Sequence, residues 1–177
     1  TARNNALQKC KGKYIAILDC DDLWHPEKLQ LQINLMEKDS SLGLCTTNYS
    51  TLSNKKILKA KPIQIEDINF RKLLVNYLIC HSSVLFRSEL LSRMKKFYDP
   101  NLHVAHDKDL ILRMVKMYKV CHVNNYLSYW RHSEASISNS RFDLLSSDNQ
   151  YIIDTYSKEM LGFKTEFSEE VTKLKEK

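Results

Sequence analysis

The stretch YIAILDCDDLWHP, residues 14–26, decides the fold because it joins an apolar run directly to a cluster of acids. The apolar run predicts a buried strand over residues 13–18. Three carboxylates follow it at once, those of Asp19, Asp21 and Asp22. Like charges at this spacing repel one another and raise one another's pKa. A chain that keeps all three indicates a bound cation or a proton-transfer role at this point.

A strand that ends in D-x-D has two common chemical uses. One is a divalent-cation site, because Mg²⁺ and Mn²⁺ prefer carboxylate oxygens and leave room for substrate phosphates. The other is a nucleophilic aspartate, as in haloacid-dehalogenase phosphatases, where Asp19 would be the nucleophile. A helix cap would explain one acid but not three. The flanks favour the cation, since the phosphatase pattern has Thr or Val where Leu23 stands here.

The composition is that of a soluble globular domain, with 177 residues, 43% hydrophobic and 27% charged. The apolar runs are far shorter than the roughly 20 residues that span a bilayer, and the first residues lack the apolar segment of a secretory signal. The five cysteines stand singly, without a C-x-x-C pair. This pattern argues against a zinc knuckle or a thioredoxin-type site and favours a reducing, cytoplasmic setting.

The net charge is +6, and part of the excess is local, as in SNKKILKAKP over residues 53–62. A solvated loop explains this segment, which could also favour anionic substrates or an anionic membrane surface. We expect no nucleic-acid partner, because aromatic residues are not interleaved with the basic run and no nucleic-acid motif is present.

Strands and helices alternate along the chain, which favours an α/β layered fold. Besides the first strand, strands are predicted at residues 42–49, 79–86, 118–123 and 126–131. Helices are predicted at residues 1–11, from Pro26 at a first helical position, and at residues 67–77, 88–94, 106–118 and 145–177. The last of these carries one apolar stripe with spacings of 3 and 4, which predicts packing against a core: Ile152, Tyr156, Met160, Phe163, Phe167, Val171 and Leu174. The helix from Pro26 has an apolar face at helical spacing, formed by Leu29, Ile33 and Met36. The helix at residues 106–118 has an apolar side formed by Leu110, Ile111, Met114 and Val115.

The segment ARNNALQKCKGKYIAILDCDDLWHPEKLQLQINLM, residues 2–36, resembles the central motif of family 2 glycosyltransferases with the GT-A fold. The family pattern is roughly A-R-N-x-G, a spacer, then G-x-Y-I-x-x-L-D-x-D-D-x-W-x-P-x-K-L-x-x-Q, and nearly every fixed position is matched. One departure is Ala6, where the family often has Gly and then a β-branched residue. The resemblance implies a Rossmann-like sheet with flanking helices, incomplete at its N-terminus because the family's first β-α-β units normally precede this motif.

Later segments continue the resemblance. ICHSSVLFRSELLSRMKKFYDPNL, residues 79–102, is similar to the family's S-S-V strand and the helix and turn that follow. AHDKDLILRM, residues 105–114, resembles the start of the helix that carries the catalytic base, although His106 stands where Glu is usual. LSYWRHSEASIS, residues 127–138, resembles the late Y-R-x-H segment, with His132 one place early.

The resemblance implies transfer of a sugar from a nucleoside diphosphate to an acceptor hydroxyl, with inversion. Asp107 falls on the position of the general base. Asp109 and Arg113, four residues apart on the same helix, predict a structural ion pair. The cofactor is expected to be Mn²⁺ or Mg²⁺, held by Asp21 and Asp19. The expected contacts to the nucleotide sugar are Arg3, Asp19, Asp22, Trp24 and Arg131.

We therefore expect a partial GT-A domain over residues 1–140 and a C-terminal helical extension over residues 141–177. The expected partners are a nucleotide-sugar donor and a glycan or lipid-linked acceptor, as in the synthesis of polysaccharide, lipopolysaccharide or capsule. The expected location is cytoplasmic, with peripheral contact at the inner face of the membrane left open. Two competing hypotheses remain: the haloacid-dehalogenase-like phosphohydrolase, and a truncated homologue without catalytic activity.

Overall fold

The computed structural model describes residues 2–53, 56–94, 96–132 and 141–160. In this part of the chain the helices are α1 (Ala2–Lys9), α2 (Lys28–Glu37), α3 (Phe70–Val75), α4 (Glu89–Arg93), α5 (His106–Met117) and α6 (Phe142–Met160). The strands are β1 (Tyr14–Ala16), β2 (Leu23–Trp24), β3 (Leu42–Ser53), β4 (Lys56–Lys59), β5 (Leu85–Arg87) and β6 (Lys119–Arg131). Single 3₁₀ turns lie at Ile65–Asp67 and His81–Ser83. The alternation of strands and helices confirms the predicted α/β class.

The strands form one mixed sheet in the order β1-β5-β3-β6-β2, with β4 paired to β3. The two long strands, β3 and β6, run parallel at its centre, and the other pairs are antiparallel. At the start of β3, Gly43 leaves room for Tyr118, because a Cβ there would lie 2.5 Å from the Cβ of Tyr118. The antiparallel pairing of β2 with β6 places the end of β6 next to the loop that follows β1.

The two strands predicted at residues 118–123 and 126–131 are one strand in the structure. β6 runs without interruption from Lys119 to Arg131. The register explains the discrepancy, because Thr47 pairs with Val123 and the next residue, Asn48, pairs with Tyr126. The two residues between form a bulge, which lets a strand continue through a polar step.

The strand predicted at residues 79–86 is shorter than expected. Residues His81–Ser83 form a 3₁₀ turn, and β5 begins only at Leu85. The turn is closed by backbone hydrogen bonds, from the N–H of Ser83 to the carbonyl of Cys80 and from Val84 to His81. It brings the side chains of His81 and Ser82 beside the acids that follow β1.

Helix α2 begins at Lys28, two residues after Pro26, and buries Lys28 and Gln32 together with Met36 of the predicted apolar face. Lys28 and Gln32 are fully buried, whereas Leu29 is exposed. Gln32 donates hydrogen bonds to the carbonyls of Cys45 and Ser83, and its own carbonyl accepts one from Lys28. Since these polar groups find partners inside, the helix can turn them inward.

The main core lies where α3, α5 and α6 pack against the sheet. The apolar side of α5 is as predicted, with Leu110, Ile111 and Met114 fully buried. Ile152 and Tyr156 of the predicted C-terminal stripe are buried in the same core. The later members of that stripe, Phe163, Phe167, Val171 and Leu174, lie outside the described residues.

Among the described helices, none combines the length and the apolar character that crossing a bilayer requires.

Candidate active site

A cavity of about 670 Å³ lies where the loop after β1, the end of β6 and the first turn of α5 meet. Its volume is in the range of small-molecule sites. Six of the seven residues predicted to form the site line it: Arg3, Asp19, Asp21, Asp22, Asp107 and Arg131. The fold thus brings together two acidic segments that are more than 80 residues apart in sequence.

Asp19 is held through both of its carboxylate oxygens. Its Oδ1 accepts a hydrogen bond from Arg3 Nη2 at 2.8 Å, and its Oδ2 lies 3.2 Å from His81 Nδ1. Burial raises the pKa of this carboxyl, but the hydrogen bonds and charges of His81 and Arg3 outweigh burial and hold the pKa well below its usual range. Asp19 is therefore a fixed negative charge at neutral pH.

Asp22 is the most buried acid of the cluster, at 6% exposure. Its Oδ2 accepts a hydrogen bond from Ser82 Oγ at 2.5 Å, and its Oδ1 accepts one from the backbone N–H of Arg131 at 2.8 Å. Burial raises the pKa of this carboxyl above its usual value, although these two hydrogen bonds oppose the rise. Asp22 thus ties the loop after β1 to β6 and to the 3₁₀ turn.

Asp21 differs from both neighbours. Its side chain is exposed and lines the cavity, and no described residue donates a hydrogen bond to its carboxylate. Its backbone carbonyl accepts a hydrogen bond from Arg131 Nε at 2.8 Å, which fixes the chain at this point. Asp21 therefore presents a carboxylate that is available to a ligand.

The donor set fits a divalent cation that is shared with a substrate. Among the described residues no three His, Cys, Asp or Glu side chains converge on one metal position. Mg²⁺ and Mn²⁺ are commonly held by one or two carboxylates together with substrate phosphates. Asp21 and Asp19, two residues apart at the same edge of the cavity, match this arrangement.

Arg3 connects the acidic loop to α5. Its Nη1 lies 2.6 Å from His106 Nε2, while its Nη2 bonds Asp19. Burial lowers the pKa of His106 below its usual value, and the charges of Arg3 and His81 act in the same direction against that of Asp107. A neutral His106 can accept the hydrogen bond from Arg3.

Asp107 and Asp109 lie on the first turn of α5 and face different surroundings. Asp107 lines the cavity close to Tyr77, and burial first and then the charge of Asp107 raise the pKa of that tyrosine well above its usual range. Asp109 is buried, with Arg113 Nη2 at 2.7 Å and the hydroxyl of Tyr156 at 2.6 Å. The predicted ion pair between Asp109 and Arg113 is confirmed.

Trp24 is the predicted site residue that does not line the cavity. Its indole N–H donates to the carbonyl of Ser82 at 2.6 Å, and Lys28 Nζ lies over its ring at 4.3 Å. Trp24 therefore packs between α2 and the 3₁₀ turn. Trp130, near the end of β6, lines the cavity.

Sequence reasoning missed the residues that hold the acids in place. His81 bridges Asp19 and the hydroxyl of Tyr98, with its Nε2 3.0 Å from that oxygen. Ser82 Oγ accepts from the backbone N–H of Asp19 and donates to Asp22. The sequence indication that could have found them is the polar run HSS inside an otherwise apolar segment.

Residues 1–94 match the family described as Glycosyl transferase family 2. The chain is 35% identical over 144 residues to the Escherichia coli UDP-Glc:alpha-D-GlcNAc-diphosphoundecaprenol beta-1,3-glucosyltransferase WfgD, covering 80% of this chain and 54% of that protein. It is 26% identical over 178 residues to Escherichia coli chondroitin synthase, covering 99% of this chain and 25% of that protein. The chain therefore spans about half the length of the first relative and about a quarter of the second.

Among solved structures, S. aureus TarS 1-349 in complex with UDP superposes with a TM-score of 0.57 at 14% identity. The match covers 82% of this chain and 43% of that one. At this identity the likeness shows the fold, which is the GT-A fold predicted from the sequence.

Proposed function

Because the chain belongs to glycosyl transferase family 2, we propose that it forms part of the active site of an inverting, metal-dependent sugar transferase. The donor would be a nucleoside diphosphate sugar, and the acceptor would carry a hydroxyl. The observation that supports this proposal is one cavity lined by an available carboxylate, Asp21, by two arginines and by Asp107.

The positive groups suit a diphosphate. Arg3 and Arg131 both line the cavity, and guanidinium groups recognise phosphate oxygens through paired hydrogen bonds. Asp21 and Asp19 would hold Mn²⁺ or Mg²⁺, which supplies charge neutralisation for the leaving diphosphate. Asp22 would keep the loop in place through Ser82 and the backbone of Arg131 rather than contact the ion.

The chemistry requires one base. Asp107 would accept the proton of the acceptor hydroxyl while the oxygen of that hydroxyl forms a bond to the anomeric carbon. The bond from the anomeric carbon to the diphosphate breaks in the same step. A single displacement inverts the anomeric centre and needs no enzyme nucleophile. The haloacid-dehalogenase alternative is not favoured by the relatives, which are glycosyltransferases.

The names of the relatives support a narrower assignment. The name of WfgD specifies UDP-Glc and a diphosphoundecaprenol-linked sugar. The structure of TarS 1-349 was solved in complex with UDP. We therefore assign a UDP-sugar donor and a lipid-linked acceptor in cell-envelope glycan synthesis. A cytoplasmic enzyme at the inner face of the membrane fits this assignment, and β4, with Lys56, Lys59 and exposed Ile57 and Leu58, offers a basic and apolar contact surface.

The test is Asp21→Asn in the full-length enzyme, assayed for transfer from UDP-sugars to a lipid-linked acceptor with Mn²⁺. We expect transfer to be abolished and the melting temperature to be retained, because the Asp21 side chain is exposed. Asp143→Asn, an exposed acid at the start of α6 away from the cavity, is the matched control and should be fully active. Undiminished Mn²⁺-dependent transfer by Asp21→Asn would contradict the metal assignment.

A further inference from the structure

A buried carboxylate on α6 holds the backbone that leads into α5. Asp148 is only 3% exposed. Its Oδ2 accepts hydrogen bonds from three consecutive backbone N–H groups, those of residues 103–105, at 2.8, 2.6 and 3.0 Å. The sugar-transfer role proposed above makes no use of this residue. The contact spans 43 to 45 positions in sequence.

The three N–H groups need an acceptor from elsewhere. They belong to the last two loop residues before α5 and to its N-cap residue, Ala105, so they precede the N–H groups of the helix itself. Backbone N–H groups outside regular helices and strands have no ladder partner and must find an acceptor elsewhere. Asp148 supplies the missing acceptor, and its negative charge is favourable at this end of the helix. Burial raises its pKa, but the three backbone hydrogen bonds prevail and lower it.

Helix α6 also contacts the residues that follow Asp107. Lys108 Nζ donates to Asn149 Oδ1 at 2.9 Å, and the hydroxyl of Tyr156 donates to Asp109 at 2.6 Å. The backbone before Asp107 and the two side chains after it are therefore bonded to one helix. Asp107 itself faces the cavity.

We propose that Asp148 is a positioning residue for sugar transfer: from α6 it fixes the backbone of residues 103–105 and so holds Asp107 at the acceptor hydroxyl. This inference rests on the proposed function and deepens it. Helix α6 then belongs to the working active site, although its own residues contribute no base. A small displacement of a base reduces the rate steeply, because proton transfer requires hydrogen-bond distance.

The experiment compares Asp148→Ala and Asp148→Asn in the full-length enzyme with Asp154→Ala. Asp154 lies on the same helix and is exposed. Among the described residues, its side chain is hydrogen-bonded only to Gln150. We expect Asp148→Ala to lower turnover per folded molecule by at least about tenfold, with KM for the UDP-sugar unchanged. Asp148→Asn keeps an acceptor oxygen and should recover most of the loss. Asp154→Ala should match the wild type.

Two further measurements separate positioning from stability. In an Asp107→Asn background, Asp148→Ala should cause little additional loss, because both changes act through the same base. Amide hydrogen exchange of residues 103–105 should be faster in Asp148→Ala and unchanged in Asp154→Ala. Full additivity of the two losses, or unchanged exchange of these amides, would overturn the inference.

The outcomes also distinguish this inference from the proposed function. If the wild type transfers sugar and Asp148→Ala does so equally well per folded molecule, only the positioning role is wrong. If the wild type transfers no sugar from any nucleotide donor, the proposed function itself is wrong and the role in transfer falls with it.

Discussion

Two acidic pairs, each with one residue between its members, lie at the same cavity and are fixed in different ways. In the pair Asp19 and Asp21, the first acid is bonded to Arg3 and His81, and the second is available. In the pair Asp107 and Asp109, the first acid faces the cavity and the second is bonded inside. Each pair thus has one carboxylate held by an arginine and a second group of the protein, and one that faces the cavity.

The difference lies in where the supporting groups come from. Asp109 has its arginine one helical turn away, and a hydroxyl from α6 completes the site. Asp19 depends on residues from α1 and from the 3₁₀ turn, 16 and 62 positions away. A helix can carry much of its own support, whereas a loop at the end of a strand must be held by other parts of the fold.

The largest expected effect separates the members of the helical pair. Asp107→Asn in the full-length enzyme should lower turnover by at least about 100-fold, the usual scale for a general base, while donor affinity stays nearly the same. Steady-state kinetics and donor-binding calorimetry measure the two quantities. Asp109→Asn is the control and should retain turnover per folded molecule. The reverse pattern would place the base two residues later, at Asp109.

Asp109→Ala should affect stability instead. On an exposed helix the loss of such an ion pair costs about 0.5 kcal/mol. Here the pair is largely buried and the acid also accepts from Tyr156, so we expect about 3 kcal/mol, as for broken buried pairs. Urea unfolding measures the change. A cost near that of a surface pair would mean that α6 contributes little to this contact.

A pH experiment separates the acids that follow β1 from a partly buried histidine on β6. Burial lowers the pKa of His122 from 6.5 to about 4, so the unfolded chain binds this proton more readily than the folded chain. The contribution of neutral His122 to the free energy of unfolding should be fully present above pH 6.5. It should decline by up to about 1.4 kcal/mol per pH unit as the pH falls toward 4. His122→Gln should flatten this part of the profile.

Protonation of Asp19 should lower stability in a more acidic pH range than protonation of His122. Because the pKa of Asp19 is depressed below the ordinary value of 3.8, its contribution is present above that value and is lost only at more acidic pH. Thermal melts recorded from pH 7 to pH 2 cover the His122 window and the upper part of the Asp19 window. An unchanged slope between pH 6.5 and 4 in His122→Gln would contradict the assignment of this window to the histidine.

The smallest expected effect concerns neighbouring serines of the 3₁₀ turn. Ser82→Ala removes the donor to buried Asp22 and should cost about 1–3 kcal/mol of stability. Ser83→Ala is the matched control, because the Ser83 hydroxyl is equally buried but has no hydrogen-bond partner among the described residues. It should be close to neutral. An equal loss of stability in the two variants would show that the acids after β1 do not depend on Ser82.

The local features of the fold were accessible from the sequence. The apolar spacing of α5 predicted its buried face, and the four-residue separation of Asp109 and Arg113 predicted their ion pair. Both follow from the period of a helix, which depends on nearby residues alone. The acidic run after an apolar strand likewise predicted where the cavity would be.

Features decided by distant contacts were not accessible. The inward face of α2 carries Lys28 and Gln32 because carbonyls of β3 and of the 3₁₀ turn accept from Gln32. Nothing within the helix indicates that those carbonyls are available. The position of Trp24 has the same origin, since the carbonyl of Ser82, 58 residues away, fixes its indole.

The thiol of Cys20 allows the cavity to be labelled chemically. It is exposed between Asp19 and Asp21 and lines the cavity, whereas Cys45, Cys80 and Cys121 are buried. A maleimide or iodoacetamide reagent should therefore label Cys20 at a rate that falls when a nucleotide fills the cavity. Cys10, exposed directly after α1 and outside the lining, provides an internal reference for that rate. Ligand entry can thus be followed by mass spectrometry without any substrate turnover.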